Sequence, residues 1–159
     1  MEKKSIADLI ETAKAAKLLG SMDFLARFDY ATLEREYNGI GPEWAGASIR
    51  SVVTEKFSLF EPAALIHDLR NTVSDGTELA FHVANQEFYI NCRKLADRAY
   101  PWYSWKRYRA RFFASAFFDF VEGPGGWKAW LEAHERYLSR QGHINQTNLS
   151  PKRNDDGTA

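Results

Sequence analysis

The sequence of 159 residues has a single cysteine, Cys92, so it excludes an intrachain disulfide and the cysteine-based zinc and iron–sulfur ligand sets. It also lacks an apolar run of about 18 residues, the length typical of a membrane-spanning helix. Its first eight residues place an acid, Asp8, where a signal peptide needs apolar side chains. We therefore expect no signal peptide and no transmembrane segment, and a location in the cytoplasm or in a virion assembled there.

An excess of charge of one sign is missing as well. The 21 basic residues balance the 21 acidic ones. No overall field would hold such a chain on a nucleic acid or an anionic membrane, so any such attraction must come from a local patch. We predict no specific nucleic-acid partner.

Apolar residues are plentiful, at 45% of the chain with 14% aromatic, which is enough to build a packed core. They recur at helical spacing, and no alternating run rich in Val, Ile and Thr is long enough to start a sheet. The pattern predicts an all-α fold. We expect one helical domain over residues 1–140 and a flexible polar tail over residues 141–159.

Five helices matter most for the site and its surroundings. One begins at Ser21 and extends to Tyr37, and another has Pro62 in its first turn. After a short polar turn, a helix capped by Asp75 should pack antiparallel to the Pro62 helix and bring Asn85 near His67. The helix from Trp105 to Val121 is apolar almost all round, which predicts the central core helix. A last amphipathic helix is expected from Trp127 to Arg140.

His67 and Asp68 are the most pointed chemical signal, because they place an imidazole beside a carboxylate on an otherwise apolar helix. An imidazole near neutral pH can act as a general base, and a carboxylate can bind a hard cation. A buried structural histidine beside a solvated aspartate is the alternative. A metal-dependent HD phosphohydrolase also has adjacent His and Asp, but it needs a histidine upstream, and His67 is the first of the four histidines.

Residues 60–71 read FEPAALIHDLRN, residues 84–91 read ANQEFYIN, and residues 37–42 read YNGIGP. The first of these segments, which contains His67 and Asp68, resembles the active-site helix of secreted bacterial and fungal phospholipases A2. These segments are similar in order and spacing to the His-Asp helix, its partner helix and the glycine-rich loop of that family. The chain also resembles proteins of bacteriophages and prophages.

The resemblance implies a calcium-dependent lipid esterase. In such an enzyme, His67 would deprotonate the water that attacks the sn-2 ester of a phospholipid, and no acyl-enzyme would form. The resemblance assigns calcium to Asp68 and to the carbonyls of Gly39 and Gly41. With one carboxylate and a few carbonyls, we expect this calcium site to be weak.

Asn85 stands where the family has the carboxylate that orients the histidine, and Ala64 stands where a disulfide cysteine is usual. An amide oxygen accepts a hydrogen bond but does not stabilise an imidazolium by charge. Two functions therefore stay open. The first is an esterase, intact or attenuated, and the second is a catalytically inactive member of the fold that serves as a structural or interaction protein of a phage.

Residues 93–111 contain seven basic side chains against the single acid Asp97, a net charge of +6. Aromatic residues are interleaved with them. A solvated basic rim around a buried helix is one interpretation, and contact with a phospholipid or membrane surface is the functional one. We assign the lipid contact to Trp102, Trp105, Lys106 and Arg107, and we expect Arg109 to pair internally with an acid.

Overall fold

The computed structural model describes residues 4–37 and 57–148, with side chains as far as residue 140. This part of the chain contains six α-helices, which are α1 (Ile6–Ala15), α2 (Tyr30–Glu36), α3 (Glu61–Thr72), α4 (Glu78–Ala99), α5 (Trp105–Glu122) and α6 (Pro124–Asn148). Two 3₁₀ turns, Leu25–Arg27 and Ser58–Phe60, complete it. These residues include no strand, so the all-α prediction is confirmed. None of the helices in the two described ranges is long and apolar enough to cross a membrane.

The predicted helix from Ser21 to Tyr37 is only partly helical. Ser21 does not cap a helix, because its hydroxyl donates to the Leu18 carbonyl at 2.7 Å. The helix begins instead at Tyr30, where the Asp29 carboxylate accepts a hydrogen bond from the Thr32 amide at 2.7 Å. Turns and the first 3₁₀ element occupy residues 16–29. The apolar spacing in this stretch thus reflects packing of turns on the core, where Phe24 and Leu25 are buried.

Gly20 fixes the path of that irregular stretch. Its φ of 78° lies in the left-handed region that favours glycine, and an added Cβ would lie 2.6 Å from Oε1 of Glu87 on α4. Asn91, which is fully buried on the same helix, holds the neighbouring residue at both backbone groups. Its Oδ1 accepts from the Leu19 amide at 2.7 Å, and its Nδ2 donates to the Leu19 carbonyl at 3.1 Å. The turn is therefore pinned to α4.

The central helix is α3 rather than α5. Pro62 lies in the first turn of α3, where its missing amide costs no helical hydrogen bond, and the helix buries seven side chains from Glu61 to Leu69. It contacts α1, α2, α4 and α6. In α5, only Ala110 and Ala114 are buried. The prediction for α5 was wrong because its aromatic residues surround the helix, and one helix can turn only one side to the core.

The junctions of the last three helices also differ in detail from the prediction. The hydroxyl of Thr77, rather than Asp75, caps α4 by accepting from the Ala80 amide, and Asp75 in turn accepts from Thr77. α6 begins at Pro124, because a proline fits the first turn of a helix. It extends to Asn148, beyond the predicted end at Arg140, and the residues from 149 on lie outside the described part.

Candidate functional site

His67 and Asn85 face each other across the contact between α3 and α4. His67 lies in the middle of α3 and is partly buried, whereas Asn85 lies on α4 and is 1% exposed. Their side chains are joined by a hydrogen bond of 2.8 Å between Nε2 of His67 and Oδ1 of Asn85. The contact expected from the sequence is thus present. It forms because the short connection over residues 73–77 lets α4 pack directly against α3.

A second hydrogen bond fixes the orientation of the Asn85 amide. Its Nδ2 donates to the carbonyl oxygen of Val121 at 3.3 Å, in the last turn of α5. The last carbonyls of a helix have no partner within the helix, so this amide satisfies one of them. An inverted amide would set two acceptor oxygens against each other. Oδ1 must therefore face the imidazole as an acceptor.

This chain of two hydrogen bonds determines the tautomer of neutral His67. Because Oδ1 of Asn85 accepts, Nε2 of His67 carries the proton and donates it. The other ring nitrogen, Nδ1, then has a free lone pair. A neutral imidazole held in this tautomer can accept a proton at Nδ1, which is what a general base requires.

The surroundings of the ring favour its neutral form. Burial lowers the pKa of His67, and the hydrogen bond to Asn85 opposes that shift. The ring of Phe88 packs against the imidazole, with 4.8 Å between ring centroids. His67 is therefore uncharged near neutral pH, so it is available as a base but poorly placed to retain a proton.

Asp68 follows His67 on α3 and is directed toward a different part of the molecule. Its carbonyl oxygen accepts a hydrogen bond from the Thr72 hydroxyl at 3.0 Å. Its charge is close enough to Tyr37 to help raise the pKa of that phenol, although burial is the largest cause and Glu61 the second. The Tyr37 hydroxyl itself donates to Oε2 of Glu61 at 3.1 Å. Asp68 thus lies near Tyr37, the first residue of the predicted glycine-rich loop.

The other predicted calcium ligands, Gly39 and Gly41, lie outside the described residues. Within residues 4–37 and 57–140, no group of three or more His, Cys, Asp and Glu side chains is arranged to hold a metal ion. The described part of the chain therefore supplies one assigned ligand, the Asp68 carboxylate, which has the hard oxygen donors that calcium prefers.

His82 does not support His67. Its Nδ1 lies 2.7 Å from Oε2 of Glu122, and its Nε2 lies 3.7 Å from Oε1 of Glu78. Asn85, and not His82, is the side chain bonded to the His67 ring.

The predicted lipid-binding residues divide into two groups. Trp102, Trp105 and Lys106 are exposed at the start of α5. Arg107 is instead tied to Asp97 by a hydrogen-bonded ion pair of 2.8 Å, and Arg111 binds the same carboxylate at 2.7 Å. Arg107 is thus held against the protein.

The expectation for Arg109 was wrong. It is exposed, with its guanidinium 6.0 Å from the centre of the Phe113 ring. Arg107 and Arg111 take the internal pairing, because they lie four residues apart on the side of α5 that faces Asp97.

The carbonyl of Val121 is the part of the site that the sequence did not reveal. A backbone group has no residue-type signal, and the only hint in the sequence is the run Gly-Pro-Gly-Gly at residues 123–126, which interrupts a helix. Gly126 approaches this carbonyl so closely that a Cβ on Gly126 would collide with it. The turn from α5 to α6 therefore positions the oxygen that orients Asn85.

No protein-family profile, no curated protein and no solved structure matches this chain.

Proposed function

We propose that this protein is a lipid esterase similar to phospholipases A2, in which His67 is the general base. The observation that carries the proposal is the oriented chain from the Val121 carbonyl through Asn85 to His67, which leaves Nδ1 unprotonated. Nδ1 would take a proton from a water molecule as that water attacks the ester carbonyl. The proton would then pass to the departing alcohol oxygen, so that the carboxylic acid and the lysolipid are released without a covalent enzyme intermediate.

Asn85 sets the expected efficiency of this reaction. Its amide oxygen keeps the Nε2 proton in place, so the ring does not rotate or change tautomer during the transfer. It offers only a dipole to the imidazolium that forms, whereas a carboxylate would offer a full charge. We therefore propose an attenuated enzyme rather than a fast one.

Calcium is part of the proposal through Asp68, with the backbone around Gly39 and Gly41 as its further ligands. When bound, the ion would polarise the ester carbonyl and stabilise the charge that develops on its oxygen. Isothermal calorimetry with calcium should give a weak binding heat for the wild type and none for Asp68→Asn. Equal heats from both proteins would remove Asp68 from the calcium site.

Hydrolysis is tested by fatty-acid release from mixed phospholipid vesicles, with added calcium or with chelator. We expect release by the wild type, loss of release with chelator and loss of release in His67→Ala. His82→Ala is the matched control, because this histidine is half-exposed and paired with Glu122, and its removal should leave the rate unchanged. A rate that survives His67→Ala would refute the assignment of the base.

A second candidate is a catalytically inactive protein of this fold that serves as a structural or interaction component, for example of a phage particle. Two observations favour it, namely the uncharged Asn85 beside His67 and the exposed aromatic side chains at the start of α5. If neither the wild type nor Asn85→Asp releases fatty acid in the presence of calcium and lipid, this second function replaces the first.

A further inference from the structure

Five aromatic side chains lie exposed together where the chain enters α5. Each is between 55% and 77% exposed, and the set consists of Trp102, Tyr103, Trp105, Tyr108 and Phe112. We call this set the aromatic surface. Large aromatic residues are usually buried, so five exposed within eleven residues of chain form a patch that a monomer in water does not stabilise.

The members of the aromatic surface lie on one face of α5 and in the turn that precedes it. Trp105, Tyr108 and Phe112 are spaced three and four residues apart, so they follow one face of α5. Trp102 and Tyr103 lie in the preceding turn, where their rings pack edge to face with 5.8 Å between centroids. The aromatic surface thus consists of one face of α5 and the turn before it.

The charged side chains in the segment that carries the aromatic surface, residues 102–112, are all basic. Asp97 is the only acid in residues 93–112, and its carboxylate already forms ion pairs with Arg107 and Arg111. Lys106 and Arg109 are exposed next to the aromatic residues, and no described carboxylate lies within ion-pair distance of either. The chain as a whole has no net charge, so this positive field is local.

We propose that the aromatic surface docks on the interface of an anionic phospholipid bilayer. Indole and phenol rings have an apolar body and a polar edge, which suits the boundary between acyl chains and headgroups. Lys106 and Arg109 would lie against the anionic headgroups beside them. A second copy of this chain fits the surface less well, because a symmetric contact would bring the same uncompensated cations together.

This inference is independent of the proposed hydrolysis. On α5, Trp105 lies sixteen residues and Phe112 nine residues before Val121, which corresponds to about 24 Å and about 14 Å along the helix axis. The aromatic surface and the His67–Asn85 pair are therefore separate places on the molecule. Vesicles made of diether phospholipids, which contain no ester to cleave, allow docking to be measured whether or not the protein is an esterase.

The experiment is co-sedimentation of the full chain with diether vesicles. One set contains only phosphatidylcholine headgroups, and the other also contains phosphatidylserine headgroups. We expect binding to the anionic vesicles and much weaker binding to the neutral ones. Lys106→Gln with Arg109→Gln should weaken anionic binding about 30-fold, since each basic residue near the surface contributes about 1 kcal/mol.

The double variant Trp102→Ala with Trp105→Ala should weaken binding at least about tenfold, because it removes two of the inserted rings. Lys14→Gln with Lys128→Gln is the matched charge control, and it should bind as the wild type does. For apolar area the control is Leu131→Ala with Leu138→Ala, two exposed residues on α6.

Several outcomes would overturn the proposal. These are absence of wild-type binding to anionic vesicles, equal binding by the tryptophan variant, and an equal loss in the control pairs. Analytical ultracentrifugation without lipid is the companion measurement. If the wild type is a dimer that Trp102→Ala with Trp105→Ala converts to a monomer, a second copy covers the surface and the membrane assignment fails. Binding of single-stranded nucleic acid with the same residue dependence, and no binding to vesicles, would also refute it.

Discussion

Replacing Asn85 by aspartate probes the candidate site most directly, because it changes one atom of the side chain that orients His67. The new carboxylate keeps an oxygen for the hydrogen bond to Nε2, which spans 2.8 Å in the wild type. It also brings a negative charge beside the imidazole. An opposite charge within about 4–6 Å raises the pKa of a histidine by about 1–3 units. We therefore expect the pKa of His67 to rise by that amount.

The same change should destabilise the fold. The Nδ2 group of Asn85 donates to the Val121 carbonyl at 3.3 Å, and an aspartate would put a second acceptor oxygen in its place. The variant thus loses a hydrogen bond and buries a charge at a position that is 1% exposed. Leaving a buried acceptor unsatisfied costs about 1–3 kcal/mol. The free energy of unfolding should fall by that amount at pH values where the imidazole is neutral.

Nuclear magnetic resonance titration of the histidine ring protons would measure the pKa, and urea unfolding would measure stability. Asn91→Asp is the matched control. Asn91 is also buried on α4 and also bonds to backbone groups, but its partner is Leu19 rather than a histidine. This control should lose stability in the same range and leave the pKa of His67 where it was.

A His67 pKa that is unchanged in Asn85→Asp would refute the contact between these side chains in solution. If the protein is an esterase, the regained charge should raise the rate by up to about 10²–10⁴, measured above the new pKa of His67. Below that pKa the ring is protonated and cannot act as a base. The optimum for hydrolysis should accordingly move to higher pH in the variant.

Three further predictions concern stability and reactivity. Because burial lowers the pKa of His67, the unfolded state binds a proton there more readily, so the free energy of unfolding of the wild type should fall as the pH drops below about 6.5. In His67→Gln, the slope of this free energy against pH, measured by urea unfolding, should be smaller by up to about 1.4 kcal/mol per pH unit. Identical slopes in the two proteins would contradict the pKa shift. Leu65→Ala should lower the free energy of unfolding by about 2–5 kcal/mol in the same assay, because Leu65 is fully buried on α3. A loss below about 1 kcal/mol would mean that α3 is not the core helix. Cys92 is fully buried, and burial raises the pKa of its thiol. A thiol reagent should therefore modify Cys92 at least about 100-fold more slowly in the native protein than in denaturant. Rapid labelling of the native protein would contradict the burial of this side chain.

Helix formation around the candidate site was predictable from local chemistry. A helix can begin at Pro62 but cannot continue through it from an earlier residue. The connection after Thr72 is short, so α4 must pack against α3. These two constraints act within a few residues, so the sequence alone could predict that His67 and Asn85 meet. These constraints do not predict which atoms of His67 and Asn85 form the contact, because that depends on how the surfaces of the two helices pack.

The orientation of the site is a tertiary result. Asn85 reads from the sequence as a weakened substitute for a carboxylate, yet its amide also bonds the Val121 carbonyl, a task that a carboxylate cannot perform. That carbonyl belongs to α5 and is 36 residues away along the chain. Backbone groups carry no sequence signal, so this partner could be found only from the packed structure.

The sequence by itself determined that this chain is helical, because hydrophobic periodicity and capping residues act locally. The packed structure alone decided which helix is central and which aromatic and basic residues face water. α3, with its small and aliphatic side chains, packs against four other helices, whereas α5 leaves Trp105 and its aromatic neighbours exposed. Likewise, Arg107 and Arg109 are equally basic in the sequence, but only Arg107 reaches Asp97. Composition sets how much apolar surface and charge a chain carries, and the competition among helices for one core decides where each residue lies.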